Sequence, residues 1–253
     1  MKKSALLSLG DAHTGSKIAL CPPEVELDDE DIYKANPLQR KMWRWWTGTC
    51  APWWRGLAKG RSLVVDDGGD GIDGTNHHGS LQTFGDNTTA ESLHAEMMAP
   101  IVNAADRLIF LRGTRAHVGS SSESDRRIAS LMGTRAVWQY KGDIGGRYFD
   151  IRHAANTSRQ AWNRGRSIMG ILHHVKSEAQ DKDERVPDVV IRHHVHLFDA
   201  VRWWHNDKSM LGILAPSLKA CDEYGASMAW DAYDIGAVMV LLPEMEVHTC
   251  LFR

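Results

Sequence analysis

Four short apolar runs, each broken off by a cluster of aspartate, glycine, arginine or histidine, constrain this chain more than any other feature. They are 4–9 (SALLSL), 62–65 (SLVV), 107–112 (RLIFLR) and 188–192 (DVVIR). Apolar runs this short, bounded by turn-forming residues, read as buried strands. The clusters that follow are GDAHTG, DDGGDGIDG, GTRAHVG and HHVH. In layered α/β folds, functional groups gather on loops at the carboxyl ends of strands. Four polar clusters at four such ends therefore predict one assembled site.

Helices are predicted between the strands. Residues 90–106 place Leu93, Met97 and Ile101 at i, i+4 spacing behind Thr89 as N-cap, with Pro100 expected to kink or split the helix. Residues 158–178 set Trp162, Ile168, Ile171, Leu172 and Val175 on a broad apolar face, followed by a charged linker at 179–187. Two further strands are predicted at 236–242 and 246–252, around Pro243 and Glu244. There is no internal repeat and no interdomain linker, so residues 1–253 read as a single α/β domain. Residues 38–57 hold five of the ten tryptophans. Their large area favours burial under a sheet or in a homo-oligomer interface; the sharper alternative is a base-stacking platform.

Composition bounds the function classes. Thirty basic against 32 acidic residues give a net charge of −2, which removes the electrostatic argument for a dedicated nucleic-acid binder while leaving room for a local basic groove. The four cysteines form no C-x-x-C pair and read as reduced cytoplasmic thiols. The opening MKKSALLSLGDAH has too short an apolar run for a signal peptide and reads as a first strand. No run approaches the roughly 18 apolar residues of a membrane span. Thirteen histidines point weakly to metal binding, and position must decide.

Asp11 and His13 stand two apart just after a strand, so both side chains can turn toward one cation. In Gly69-Asp70-Gly71-Ile72-Asp73-Gly74 the glycines let the backbone bring Asp70 close to a cation, and a carboxylate with two oxygens can bridge two of them. A calcium-type loop of Asp66, Asp67, Asp70 and Asp73 is the competing reading, although no later carboxylate falls at suitable spacing. His194 and His196 flank Val195 at i, i+2, which points both imidazoles to one side.

The order D-x-H, G-D-x-x-D-G, G-x-x-x-H, an isolated histidine and H-x-H resembles the calcineurin-like metallophosphoesterases, from Ser4 to about Asp199. LVVDDGGDGIDG and PDVVIRHHVH carry the likeness most specifically. The resemblance implies two mixed β-sheets packed as a sandwich with flanking helices. It implies one metal on Asp11, His13, Asp70 and His196, and a second on Asp70 as bridge, His194, an upstream histidine and an amide. His153, after the strand-like YFDI, is the best match for that histidine; His173 and His174 fall inside a predicted helix. The mixed oxygen and nitrogen donors suit two divalent ions of Mn, Fe or Zn better than Ca²⁺.

Two positions depart from the family pattern. Where it has G-N-H-[DE], this chain reads Gly113-Thr114-Arg115-Ala116-His117, with no amide and Arg115 at the histidine's place. Thr114 is then a weak or absent ligand, or His117 moves in from two residues on; Arg115 can hold a phosphoryl oxygen by a forked contact. His193 replaces the glycine of G-H-x-H. The implied chemistry is hydrolysis of a phosphodiester or phosphomonoester by a water activated between two metals, with Asp70, Arg115 and His117 as catalytic candidates. The substrate would be a phosphate ester, nucleotide and nucleic acid among them, with no membrane partner. A DNA nuclease of the same superfamily and an impaired metal-binding scaffold are the alternatives. His77 and His78 could line the entrance but read better as a solvated pair, while His94, His205 and His248 read as surface or packing residues.

Overall fold

Each apolar run forms a strand, and the strands over 4–9, 189–192 and 236–242 are buried along their whole length. The computed structural model describes residues 3–27, 31–74, 83, 86–119, 121–153, 164–205, 208–221 and 233–253. The chain opens with β1 (Ser4–Leu9), the hairpin strands β2 (Glu24–Glu26) and β3 (Ile32–Lys34), helices α1 (Pro37–Trp45) and α2 (Ala51–Ala58), and β4 (Ser62–Asp67). Next come α3 (Asn87–Val102), β5 (Arg107–Leu111), α4 (Arg115–Val118), α5 (Glu123–Leu131), β6 (Ala136–Val137), β7 (Gln139–Ile144) and β8 (Arg147–Arg152). It closes with α6 (Arg164–Asp181), β9 (Val189–Arg192), β10 (Asp199–His205), β11 (Lys208–Leu214), β12 (Gly236–Leu242) and β13 (Glu246–Leu251).

Two mixed sheets result, a six-stranded one in the order β13-β12-β1-β4-β5-β6 and a five-stranded one in the order β10-β11-β9-β8-β7. β1, β4, β5 and β6 run parallel, as do β8, β9 and β11; the antiparallel strands are β12 and β13 at one side of the first sheet and β7 and β10 at the two edges of the second. Leu6, Val64, Leu111 and Val240 of the first sheet pack against Phe149, Ile151, Ile191 and Ile213 of the second. The outer face of the first sheet is covered by Met42, Trp54, Met97 and Ile128 from its helices, and that of the second by Ile168, Leu172 and Val175 of α6. Burial of both strand faces explains why β1 and β12 read as continuous apolar runs instead of alternating ones. This sandwich with helices outside is the architecture that the family resemblance implied.

Several local expectations are corrected. α3 starts at Asn87, not behind Thr89: Asp86 caps it, accepting from the N–H groups of Thr88 and Thr89 at 2.6 and 2.9 Å. Pro100 does not split the helix, because it falls near the end, where its missing N–H costs a single intrahelical bond. α6 runs on into the expected charged linker as far as Asp181, since Ala179 is buried one turn after Val175. Residues 158–163 of that predicted helix, Trp162 among them, lie outside the described residues, as do His77 and His78. In the tryptophan-rich stretch, an Asn36–Gln39 capping box starts α1 and a π-helical turn over Trp46–Cys50 joins it to α2. Trp45, Trp46 and Trp54 are buried, with Trp43 and Trp53 packed against the same core. Those indoles cover the first sheet, as the burial reading expects, with Trp43 and Trp53 left partly exposed. No helix among the described residues is long and apolar enough to cross a membrane.

Candidate metal centre

The loops after β1 and β4 continue their strands' parallel pairing. Asp11 N–H donates to Gly69 C=O at 2.9 Å, His13 N–H to Asp70 C=O at 3.0 Å and Thr14 N–H to Gly71 C=O at 2.9 Å. The loops after β8 and β9 arrive from the other sheet. His153 Nδ1–H donates to the Gly68 carbonyl at 2.7 Å, and the His194 N–H donates to Asp11 Oδ2 at 3.0 Å. Backbone bonds within the first sheet and side-chain-to-backbone bonds between the sheets therefore place both sets of strand ends around one point before any ion is considered.

The backbone there is strained. Asp11, His13, Asp70, His194 and His196 all have positive φ, at 48°, 46°, 50°, 79° and 55°. Each such residue costs on the order of 1–3 kcal/mol, a cost tolerated where surrounding structure and function over-determine the conformation. Five of the six metal-ligand candidates carry it, which ties the strain to the site.

Three groups of donors form among the described residues. Asp11, Asp70, His153 and His194 offer ligand atoms within 4.8 Å of one another; so do Asp11, His13 and His196, and so do His13, Asp73 and His117. All six sequence-predicted ligands are thus brought together, with Asp11, and not Asp70, shared between the first two groups. The reason lies at Thr114, whose N–H and Oγ donate to Asp70 Oδ1 at 2.7 and 3.2 Å, with Oγ 3.1 Å from Oδ2. Thr114 holds Asp70 in place where the family has an amide. The third group already has its cation, because Lys219 Nζ, itself buried, sits 3.0 Å from Asp73 Oδ1.

The first two groups fit divalent cations. With its Nδ1–H on a carbonyl, His153 presents Nε2, at 3.1 Å from Asp70 Oδ2 and 4.0 Å from Asp11 Oδ1. His13 Nδ1 pairs with Asp73 at 3.0 Å, which turns its Nε2 toward Nε2 of His196 at 3.2 Å. His196 Nε2 also lies 3.3 Å from Asp11 Oδ1, so the three donor atoms converge as the ligands of one cation would. Asp11 Oδ1 and His153 Nε2 are buried, and each is met only by another ligand candidate, His196 Nε2 at 3.3 Å and Asp70 Oδ2 at 3.1 Å. Electrostatics agree. Burial works to lower the His153 pKa, but Asp70 and Asp11 outweigh it and push it up to about 10. Burial and then the Lys219 charge hold His13 well below the ordinary histidine value, and burial lowers His194. Against their own burial, the surrounding histidines, His153 foremost, hold Asp11 and Asp70 low. The carboxylates are charged, and the pocket calls for cations to meet them.

The catalytic candidates lie at the rim. His117 is half-buried on α4, with Nδ1 3.0 Å from the Asp73 carbonyl and its ring edge-on to His13 at 4.3 Å. Arg115 is exposed on the same turn. The calcium-loop reading fails because its four aspartates diverge. Asp66 pairs with His193 and Ser8, Asp67 with His94, Asp70 with Thr114, and Asp73 with His13 and Lys219. His94 is a fully buried partner of Asp67 and Thr14. His248 is part-buried beside Glu246, and the His205 side chain lies outside what is described.

Sequence reasoning missed Asp73 and Lys219 as supports of the site, and with them Asp125. The buried Asp125 carboxylate accepts from the N–H of Gly71 at 3.1 Å and of Gly113 at 2.6 Å, stapling the β4 and β5 loops together. Burial, and then the Asp70 charge, push its pKa up to about 7. His193 is the other surprise. Its Nε2 meets Asp66 at 2.9 Å, and a β-carbon on Gly68 would lie 2.2 Å from its Nδ1. The glycine absent at 193 is thus matched by Gly68 in the opposing loop, which leaves the space that the imidazole fills.

No protein-family model matches the sequence, and no curated protein matches it. Among solved structures, an archaeal phosphodiesterase aligns over 98% of this chain and 99% of its own at 12% identity, with a TM-score of 0.45. Vps29 from Chaetomium thermophilum aligns over 100% and 96% at 10% identity, TM-score 0.46. Vps29 from Entamoeba histolytica, solved with zinc, aligns over 98% of each chain at 10% identity, TM-score 0.41. At these values the comparisons carry no argument, and any chemistry rests on the ligand geometry.

Proposed function

We propose that this chain is a metal-dependent phosphoesterase that hydrolyses a phosphodiester or phosphomonoester at a two-cation centre. The observation that carries this reading is the pair of donor groups sharing Asp11, built from mixed carboxylate and imidazole ligands on strained backbone. Asp11, Asp70, His153 and His194 would hold one cation, with Asp11, His13 and His196 holding the other. Two such ions, when bound, supply Lewis acidity toward the phosphoryl oxygens and a nucleophilic hydroxide near neutral pH.

The chain's own residues do the rest. Thr114 fixes the Asp70 carboxylate, and Asp73 fixes the ring of His13. His117, anchored through Nδ1 on Asp73, would pass a proton from Nε2 to the leaving oxygen. Arg115, exposed on the same turn, would hold a phosphoryl oxygen through its forked guanidinium. The donor set favours Mn, Fe or Zn.

One observation favours the scaffold reading: Thr114, at the position where an amide was expected, grips Asp70 instead. Hydrolysis of a generic aryl phosphodiester with added Mn²⁺, beside Asp70→Asn, separates the two. Turnover that falls at least about a hundredfold in Asp70→Asn supports the enzyme. Stoichiometric metal binding with no turnover supports the scaffold.

A further inference from the structure

A second site lies at the opposite end of the sandwich. The metal centre sits at the carboxyl ends of β1, β4, β8 and β9. A groove of about 940 Å³ is lined instead by Arg147 at the start of β8, Asp188 just before β9, and Glu244 and Met245 after β12. The end of β12 pairs with the start of β1, Leu242 opposite Ser4, so all of these belong to the far pole. The volume falls in the range of pockets that enclose small-molecule ligands, about 300–1,000 Å³.

Its lining is unlike the rest of a chain with net charge −2. Arg147, Lys176, Arg185, Arg202 and Lys208 face it, against the carboxylates of Asp188 and Glu244. Several of these cations are held by the fold. Arg185 pairs with Asp143 and Asp188 at 2.8 and 3.1 Å, Lys176 lies over the Trp203 ring, and Arg202 donates to the Met245 carbonyl at 2.7 Å. Lys208 is exposed at the start of β11.

The remaining feature is Trp204, two residues beyond Arg202 on the edge strand β10. Its neighbour Trp203 packs against α6, as the alternation of a strand requires. Trp204 is left 67% exposed and lines the groove. An exposed indole among ammonium and guanidinium groups is the pairing that takes a base on its π-face and a phosphate beside it.

We propose that this groove binds a base carrying a phosphate, as a nucleotide or as one unit of a single strand, by stacking on Trp204 with the phosphate at Lys208 and Arg202. The site is independent of the metal centre and stands apart from the hydrolytic reading. Fluorescein-labelled octathymidylate, titrated by anisotropy without added divalent metal and competed with thymidine monophosphate, tests it on the full chain. Trp204→Ala should weaken binding about tenfold or more while Trp204→Phe retains most of it. Lys208→Ala should weaken binding and flatten its salt dependence, whereas Lys34→Ala, at an exposed lysine on β3 outside the groove, should not. Both tested side chains are exposed, so the fold is not at stake. Much tighter binding of the octamer identifies a strand as the ligand, and equal binding per phosphate identifies the mononucleotide; each supports the site. Failure of the wild type to bind either probe overturns it, as does wild-type affinity in Trp204→Ala or equal losses in the two lysine variants.

Discussion

At the scale of single residues, the centre is a set of side chains whose protonation is already biased toward ligation, with one exception. His13 and His194 are held neutral-leaning by burial, and Asp11 and Asp70 are charged. His153, pushed up to about 10 by Asp70 and Asp11 despite its burial, keeps a proton at neutral pH in the ion-free chain. Its Nε2 can donate a lone pair to a cation only after losing that proton, so loading must release it. The sign follows. Affinity rises with pH, by about tenfold per unit through the neutral range, and levels off above about 10. Calorimetric titration of Mn²⁺ at pH 7 in buffers of different ionisation enthalpy should show close to one proton released per chain from this residue. In His153→Ala that release should vanish together with one ion. Release unchanged in the variant would mean that His153 lies outside the coordination shell.

At the scale of elements, the loops matter more than the strands that carry them. The four strand ends are joined through groups that no local pattern announces. Gly68 leaves the space that His193 fills, and Asp66 accepts from His193 across the two sheets. His193→Gly would therefore not be neutral. It would strand a fully buried carboxylate beside Ser8 and open a void behind Asp11. Loss of one partner of a buried hydrogen-bonded pair costs about 3 kcal/mol, so urea unfolding of the metal-free protein should show that loss. A variant as stable as wild type would show that the His193–Asp66 contact does not hold the two loops together.

The same scale shows how much was legible beforehand. Strand positions, D-x-H and H-x-H were readable because strand burial and i, i+2 geometry are local properties of a few residues. The cap of α3 slipped from Thr89 to Asp86 because both can cap and only the bonds decide. Lys219 and Asp73 are 146 positions apart, and Asp125 acts through two backbone amides in different loops; neither relation leaves any spacing to detect. The sharing of Asp11 was also hidden, since which carboxylate stands between two ion sites depends on how Thr114 turns Asp70.

At the scale of the whole molecule, two chemistries occupy opposite poles of one sandwich. The carboxyl ends of the parallel strands concentrate carboxylates and imidazoles on strained backbone, and the other end gathers cations around an exposed indole. The account of the first pole stands on Asp11 lying between two donor groups. Metal content per chain after loading with Mn²⁺ and removal of excess, compared between wild type and Asp11→Asn, tests this most directly. About two ions per wild-type chain and fewer than about one in the variant are expected, because the change strips a ligand from both positions. Two ions retained in Asp11→Asn, or none held by the wild type, would contradict it.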